Sequence, residues 1–141
     1  MTSFTSRPFV IADFAALYRF AGECVALNGP GRSTWDPGDI AWQLGMFPET
    51  FDLSGEVRLW EDSSGVAAVC IFEPPLNFTF ELHPRLGFDR ELADNIFGWV
   101  QERRALLLGA EGSIPIAYQM LGESTLSTEA CDSDAARISY L

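Results

Sequence analysis

The chain has 141 residues, a length that predicts one domain, residues 1–141, with a hydrophobic core of its own. Its net charge of −11 at pH 7 argues against nucleic acid and anionic membranes as partners, because phosphate groups are bound by clustered basic residues. The sequence contains no long apolar segment and no basic stretch followed by an apolar one at its start. It therefore predicts neither a membrane span nor a signal peptide.

The three cysteines, Cys24, Cys70 and Cys131, are odd in number and far apart in the sequence. No other metal-ligating residues accompany them at the spacing of a metal site, so no metal is expected. They fit reduced thiols better than disulfides. The cysteine pattern therefore predicts a cytoplasmic protein.

The first predicted elements are a strand over Arg7–Ile11 and a helix from Phe14 to about Leu27. Asp13 precedes the helix, where its carboxylate can accept hydrogen bonds from the free N–H groups of the first turn. The helix is predicted to end at the glycine- and proline-containing turn that begins at Asn28.

A second helix has a clear start signal. Asp36 is a favourable N-cap residue, and Pro37 fits the first helical position. The helix is predicted to continue from Ile40 to about Phe47. The residues that follow, Pro48–Ser54, are predicted to form a loop.

Three predicted strands follow one another in the middle of the chain. Glu56–Asp62 alternates, with Trp60 on the face opposite Leu59, as a half-buried strand does, and Asn77–Leu82 alternates in the same way. Val66–Phe72 is an unbroken apolar run between them, which is typical of a strand covered on both faces. We therefore expect Val66–Phe72 to be an interior strand that pairs with both neighbours.

After these strands the sequence predicts a loop, His83–Phe88, and a helix from about Asp89 to Arg104. The lone histidine, His83, precedes a proline at the turn and is expected to be structural. Leu106–Leu108 has the length and composition of a short strand.

The C-terminal part of the chain is predicted to contain two short helices. Ile114–Leu121 is the first, with a strand that folds back onto the sheet as the alternative. Ala135–Leu141 is the second, with Asp132 or Ser133 as its start.

This order of elements resembles the GNAT (N-acetyltransferase) superfamily. The stretch Arg58-Leu59-Trp60-Glu61-Asp62, followed by an apolar strand and by Leu82-His83-Pro84, is similar to the N-terminal half of tandem GNAT proteins. The resemblance implies an α/β (α+β mixed sheet) fold of the GNAT-like acyl-CoA N-acyltransferase type. Two further strands follow the last helix in that family, so the resemblance also implies a fold truncated at the C-terminus.

In the family, a glycine-rich loop before the main helix holds the pyrophosphate of acetyl-CoA with backbone N–H groups and the helix dipole. The resemblance places Arg85, Gly87 and Arg90 in this loop as the cofactor-binding residues. Of the glycines only Gly87 is present, and Asp89 and Glu91 bring negative charge to the helix start. The loop is thus degenerate, and acetyl-CoA, the cosubstrate, is expected to bind weakly or not at all. One interpretation is a weakened coenzyme site in which Arg85 and Arg90 partly compensate; the other is a well-capped structural helix without a ligand.

The resemblance also implies two catalytic residues. Glu81 stands where the family often has the general base that deprotonates the amine, and Glu73 is a weaker candidate for that role. Tyr140 matches the family's acid, which protonates the leaving thiolate, if Ser133 takes the place of the motif's asparagine. If Asp134 takes that place, Leu141 falls at the tyrosine position.

Trp35 and Trp42 flank the first helical pair, where family members build the acceptor pocket, and are candidates to line an apolar substrate groove. Packing in the core is their alternative role.

Two hypotheses for function follow. The first is acetyl transfer from acetyl-CoA to a small-molecule or protein amine. The second is a non-catalytic GNAT-like module that associates with itself or with a second GNAT-like domain. The expected interface is the edge formed by Leu106–Leu108 and the helix containing Ala136 and Tyr140, because an unpaired strand edge attracts another chain.

Overall fold

A four-stranded antiparallel sheet in the order β1-β2-β3-β4 forms the centre of the fold. The computed structural model describes residues 3–46, 52–73, 77–109, 126–130 and 134–141. The strands are β1 (Thr5–Pro8), β2 (Val57–Asp62), β3 (Gly65–Glu73) and β4 (Asn77–Leu82). The described helices are α1 (Phe14–Asn28), α2 (Pro37–Met46), α3 (Leu53–Glu56), α4 (Arg90–Leu108) and α5 (Ala135–Tyr140), with 3-10 turns at Ile11–Asp13 and Pro84–Leu86. None of these helices is long and apolar enough to cross a membrane.

The predicted interior position of the apolar strand is confirmed. β3 pairs with β2 on one side and with β4 on the other, both antiparallel. Its side chains alternate between two cores: Val69 and Ile71 belong to one, and Cys70 and Phe72 to the other. A strand with helices over both faces buries every residue, which explains the unbroken apolar run.

One core lies between the sheet and helices α1 and α2, and the second lies between the sheet and α4. The first contains Leu17, Phe20, Cys24, Ile40, Leu44, Val57 and Leu59. The second contains Trp60, Phe78, Phe80, Leu82, Leu92, Ile96 and Val100. Trp60 is therefore buried under α4, and β2 is not the half-buried strand that its alternation predicted.

The N-terminal prediction was wrong in two respects. The strand ends at Pro8 rather than Ile11, and a 3-10 turn follows it. Asp13 does not cap α1, because its carboxylate accepts hydrogen bonds from Arg7 at 2.7 and 2.9 Å and from the N–H of Val10 at 2.9 Å. The two bonds to Arg7 join two charged groups, whereas a cap bond would join the carboxylate to a neutral N–H. The Arg7 guanidinium accordingly holds the pKa of Asp13 below its usual value.

The start of α2 is confirmed. The N–H of Asp36 donates to Asp39 Oδ2 and the N–H of Asp39 donates to Asp36 Oδ1, both at 2.9 Å, which is a reciprocal cap. The predicted end at Phe47 lies outside the described residues. The predicted loop before the sheet contains the short helix α3, which Asp52 caps by accepting a hydrogen bond from Gly55 N.

The predicted strand at Leu106–Leu108 is wrong, because α4 continues through these residues. Leucine favours a helix, and no glycine or proline lies between Trp99 and Leu108. The strand edge that the predicted interface depended on is therefore not formed by Leu106–Leu108, and self-association stays a prediction. Ile114–Leu121 lies outside the described residues.

The last helix is confirmed, with Asp134 rather than Asp132 or Ser133 as its cap: Asp134 Oδ1 accepts a hydrogen bond from Arg137 N at 3.0 Å. Just before it, Ser127 forms a parallel bridge with Asn77 of β4. In this bridge Phe78 N donates to Ser127 O at 3.0 Å. The segment before α5 thus touches the outer edge of β4 at one end.

Candidate functional site

Glu81 is a buried carboxylate on β4, with 6% of its surface exposed. It connects β4 to the segment between α1 and α2, because the backbone N–H of Thr34 in that segment donates to Glu81 Oε2. The Thr34 hydroxyl donates to the backbone oxygen of Phe80 at 3.2 Å. Burial raises the pKa of Glu81, while the Thr34 hydrogen bonds and the charge of Arg137 oppose the rise. A carboxyl with a raised pKa is suited to accept a proton near neutral pH.

Arg137 of α5 is the cation of this site, and the sequence analysis missed it. Its side chain is buried, with 4% of the residue exposed. Nη1 donates to Thr34 Oγ1 at 3.2 Å, and the guanidinium carbon lies 4.3 Å from the centre of the Phe80 ring. Arg137 is the first basic residue after Arg104 in the sequence, and this isolation is the feature by which the sequence could have singled it out as a candidate.

Glu81 and Arg137 line a cleft of about 400 Å³. Gly87 and Phe88 from the predicted coenzyme loop line it as well, as does Arg32 from the segment between α1 and α2. The structure thus brings the predicted base and one predicted cofactor-binding residue, Gly87, to the same cleft. The cleft is large enough for part of a small ligand.

A second pocket, of about 360 Å³, is lined by Thr34. Trp35 and Trp42 both line it, Trp35 from a buried position and Trp42 with 56% of its surface exposed. Three carboxylates also line it: Asp39, Glu73 and Glu129. Negative charge beside aromatic rings favours a cation over an anion in this pocket.

The predicted cofactor-binding arginines, Arg85 and Arg90, do not line the cleft that contains Glu81. Arg85 holds Asp62 with two hydrogen bonds, at 2.7 and 3.0 Å, and a third reaches the backbone oxygen of Val66 at 3.3 Å. Its guanidinium lowers the pKa of Asp62. Arg90 is exposed at the first position of α4. The charge of Arg85 is thus neutralised within the protein.

The N-terminus of α4 is capped by a carboxylate of the chain itself. Asp89 Oδ1 accepts a hydrogen bond from Leu92 N at 3.0 Å, and Glu91 lies in the first turn. An anion at this helix end would meet two negative side chains and find one N–H already bound. The degenerate character of the loop, predicted from the sequence, stays a prediction until binding is measured.

Tyr140 lies in contact with α4. Its hydroxyl donates to Asp94 Oδ1 at 2.6 Å, and its ring packs against Phe88 and Phe97 at centroid distances of 5.3 and 5.4 Å. Burial, together with the Asp94 hydrogen bond and charge, raises the pKa of Tyr140 to about 12. Among the described residues it does not line the cleft that contains Glu81, and its role as an acid stays a prediction.

His83 has the position of a structural residue. Nδ1 accepts a hydrogen bond from Arg85 N at 3.2 Å, Nε2 lies 3.1 Å from Glu23 Oε2, and the ring packs on Phe20. In the described ranges no group of three or more His, Cys, Asp or Glu side chains could hold a metal ion.

Gly87 is expected to be essential to the shape of the loop, because its φ of 60° and ψ of −152° suit only glycine. Gly87→Ala should lower the free energy of unfolding by about 1–3 kcal/mol, as measured by urea denaturation. Gly98→Ala is the matched control. Gly98 is helical and has open space at its Cβ, so this change should stabilise the protein by up to about 1 kcal/mol. Equal effects of the two changes would contradict a strained loop.

The comparisons with known proteins concern the fold. No family model and no curated protein matches the chain. A solved structure of a GCN5-related N-acetyltransferase from Sphaerobacter thermophilus is similar, with a TM-score of 0.62 and 20% sequence identity. The match covers 97% of this chain and 42% of that chain, so this chain spans less than half the length of its structural neighbour. This similarity shows that the chain has the GNAT fold, which confirms the fold class predicted from the sequence.

Proposed function

We propose that the chain is an acyl-transfer domain that moves an acetyl group from acetyl-CoA to an amine, with Glu81 as the general base. The observation that carries the proposal is the buried Glu81 carboxylate in the wall of a cleft that also contains Gly87. The carboxylate takes one proton from the ammonium form of the acceptor. The neutral amine nitrogen then forms a bond to the acetyl carbon, the carbon–sulfur bond breaks, and the electron pair leaves with the sulfur. The second proton that the nitrogen loses neutralises the departing thiolate. Acetyl-CoA supplies the activated acetyl group as its thioester.

The outer edge of β4 supports binding of an amide-containing ligand. The N–H of His83 donates to Ala67 of β3, so the odd-numbered residues of this segment face β3 and the even-numbered ones face outward. The N–H groups of Phe80 and Leu82 therefore point to the outer edge, where the described part of the chain supplies them with no partner. An extended arm with amide groups can pair with such an edge.

The pocket of Trp35 and Trp42 supports an amine as the acceptor. Its three carboxylates, Asp39, Glu73 and Glu129, attract the ammonium form of a small-molecule or protein amine. Thr34 lines this pocket and its backbone N–H binds Glu81, so one residue connects the pocket to the proposed base. The negative net charge and the buried thiols of Cys24 and Cys70 support a cytoplasmic domain without nucleic acid or membrane partners.

Acetyl-CoA should bind weakly, because Asp89 and Glu91 repel its pyrophosphate. Asp89→Asn keeps a capping side chain and removes one negative charge, so it should raise the affinity roughly two- to fivefold in titration calorimetry. Asp36→Asn removes the same charge from the start of α2 and should leave the affinity unchanged. The proposal is contradicted if neither the native chain nor Asp89→Asn binds acetyl-CoA.

A second candidate function is a non-catalytic GNAT-like module. It is favoured by the engagement of Arg85 with Asp62 and by the Asp89 cap, which together leave little positive potential for a coenzyme. Ile138 and Leu141 are half exposed on the surface of α5 and could contact a second copy or a second GNAT-like domain. Absence of coenzyme binding, together with an apparent molar mass from light scattering that rises with protein concentration, would favour this candidate.

A further inference from the structure

Thr34 joins Glu81 to Arg137. Its backbone N–H donates to Glu81 Oε2, and its hydroxyl oxygen accepts from Arg137 Nη1 at 3.2 Å. The same hydroxyl donates to the backbone oxygen of Phe80, the residue that precedes Glu81, at 3.2 Å. One threonine therefore links three elements that are far apart in the sequence: β4, the segment between α1 and α2, and α5.

The guanidinium of Arg137 is held close to this threonine. It stacks over the Phe80 ring, donates to Glu129 O at 3.4 Å, and its Nε lies 3.5 Å from Asp134 Oδ2. A buried arginine loses its hydration, so it persists only where acceptors and negative charge compensate it. Glu81 and Asp134 supply the negative charge here.

We propose that Arg137 is the positioning residue of Glu81. Through the Thr34 hydroxyl it fixes the backbone N–H that binds Oε2, and its positive charge favours the carboxylate form of Glu81. The inference rests on the proposed role of Glu81 as the base. It adds a residue that acts on that base without touching the reacting atoms.

The other groups around Glu81 do not replace Arg137. Asp134 of α5 opposes it with a negative charge. On α1, burial raises the pKa of Cys24 to about 12, with Glu81 and Glu23 adding to the rise, so the thiol stays uncharged beside Glu81 near neutral pH. Arg32 lines the same cleft from an exposed position, where solvent screens its charge.

The test is the titration of the Glu81 side-chain carboxyl in the protein without ligand, followed by carbon-13 NMR. Arg137→Gln removes the charge and should raise the titration midpoint by roughly one unit or more. Arg137→Lys keeps a positive charge, so its midpoint should rise by at most half as much as in Arg137→Gln. Arg58→Gln, which removes one charge from a half-buried arginine of β2, is the control and should leave the midpoint unchanged.

Thr34→Val provides an independent test if Arg137→Gln fails to fold. Valine keeps the backbone N–H and the size of the side chain but removes the hydroxyl that Arg137 binds. The midpoint should rise in Thr34→Val by itself. Where Arg137→Gln also folds, the rise in Thr34→Val should be the smaller one, and the double variant should shift by less than the sum of the two single changes. An unchanged Glu81 midpoint in folded Arg137→Gln, or in Thr34→Val, would overturn the inference.

Acetyl-transfer kinetics separate this inference from the proposed function. If the chain transfers acetyl groups, the acid limb of its pH–rate profile should shift to higher pH in Arg137→Gln, by the same amount as the NMR midpoint. A shifted midpoint in a chain without transfer activity would support the Arg137 inference and reject the proposed function. Active enzyme with an unmoved limb and midpoint would reject the Arg137 inference alone.

Discussion

Glu81→Gln is expected to lower kcat for acetyl transfer by roughly 10²–10⁴, with little change in the affinity for acetyl-CoA. Glutamine has almost the same shape and its carbonyl oxygen can still accept the hydrogen bond from Thr34 N–H. It cannot take a proton from the amine. The loss should therefore fall on the chemical step, which kcat and calorimetric affinity measured on the same samples will separate.

The pH dependence of the transfer rate is a second test of Glu81 as the general base. Because burial raises the pKa of Glu81, the rate should rise with pH along an acid limb above the ordinary carboxyl range, as the base loses its proton. Glu81→Gln should abolish this limb. Glu102→Gln, at an exposed position of α4, is the control and should keep both the rate and the limb.

An equal loss of binding and transfer in Glu81→Gln would remove Glu81 as the base. The carboxylate would then have a structural role, as the acceptor that ties the segment between α1 and α2 to β4. A transfer rate that stays unchanged would have the same consequence.

The two strands β3 and β4 were predictable because their patterns report burial directly. The apolar run of β3 requires helices on both faces, and the alternation of β4 separates Phe80, which packs under α4, from Glu81, which faces α1. Leu106–Leu108 was not predictable in this way, since three apolar residues fit the end of a helix as well as a short strand. The continuity of α4 decides between the two.

The candidate site was predictable in part. Glu81 could be selected from its place on β4 and from the resemblance to GNAT proteins. Its partners could not, because Thr34 lies 47 residues before it and Arg137 lies 103 residues after Thr34. Contacts at such separations depend on how the elements pack, which no local pattern describes. Asp13 shows the same limit at short range, since Arg7 binds the carboxylate that the local rule assigned to the helix.

Trp60 is the residue whose burial the alternation of β2 underestimated, and its replacement should have the largest effect on stability. It is 1% exposed and makes an edge-to-face contact with Trp99 of α4 at a centroid distance of 5.9 Å. Trp60→Ala should lower the free energy of unfolding by about 3–5 kcal/mol, because it leaves a cavity between the sheet and α4. Urea denaturation monitored by circular dichroism measures this loss.

Trp60→Phe separates packing from hydrogen bonding at the same position. The indole nitrogen of Trp60 is buried, and the described part of the chain offers it no hydrogen-bond partner. Phenylalanine keeps an aromatic ring against Trp99 and removes an N–H that is desolvated without compensation, a gain that offsets part of the lost volume. Trp60→Phe should therefore cost well under half as much as Trp60→Ala. Trp42→Ala, at a tryptophan that is 56% exposed, should also cost far less than Trp60→Ala. If Trp60→Phe proved as destabilising as Trp60→Ala, the indole N–H would have a partner in the folded protein, and the contact between β2 and α4 would depend on that bond as well as on packing.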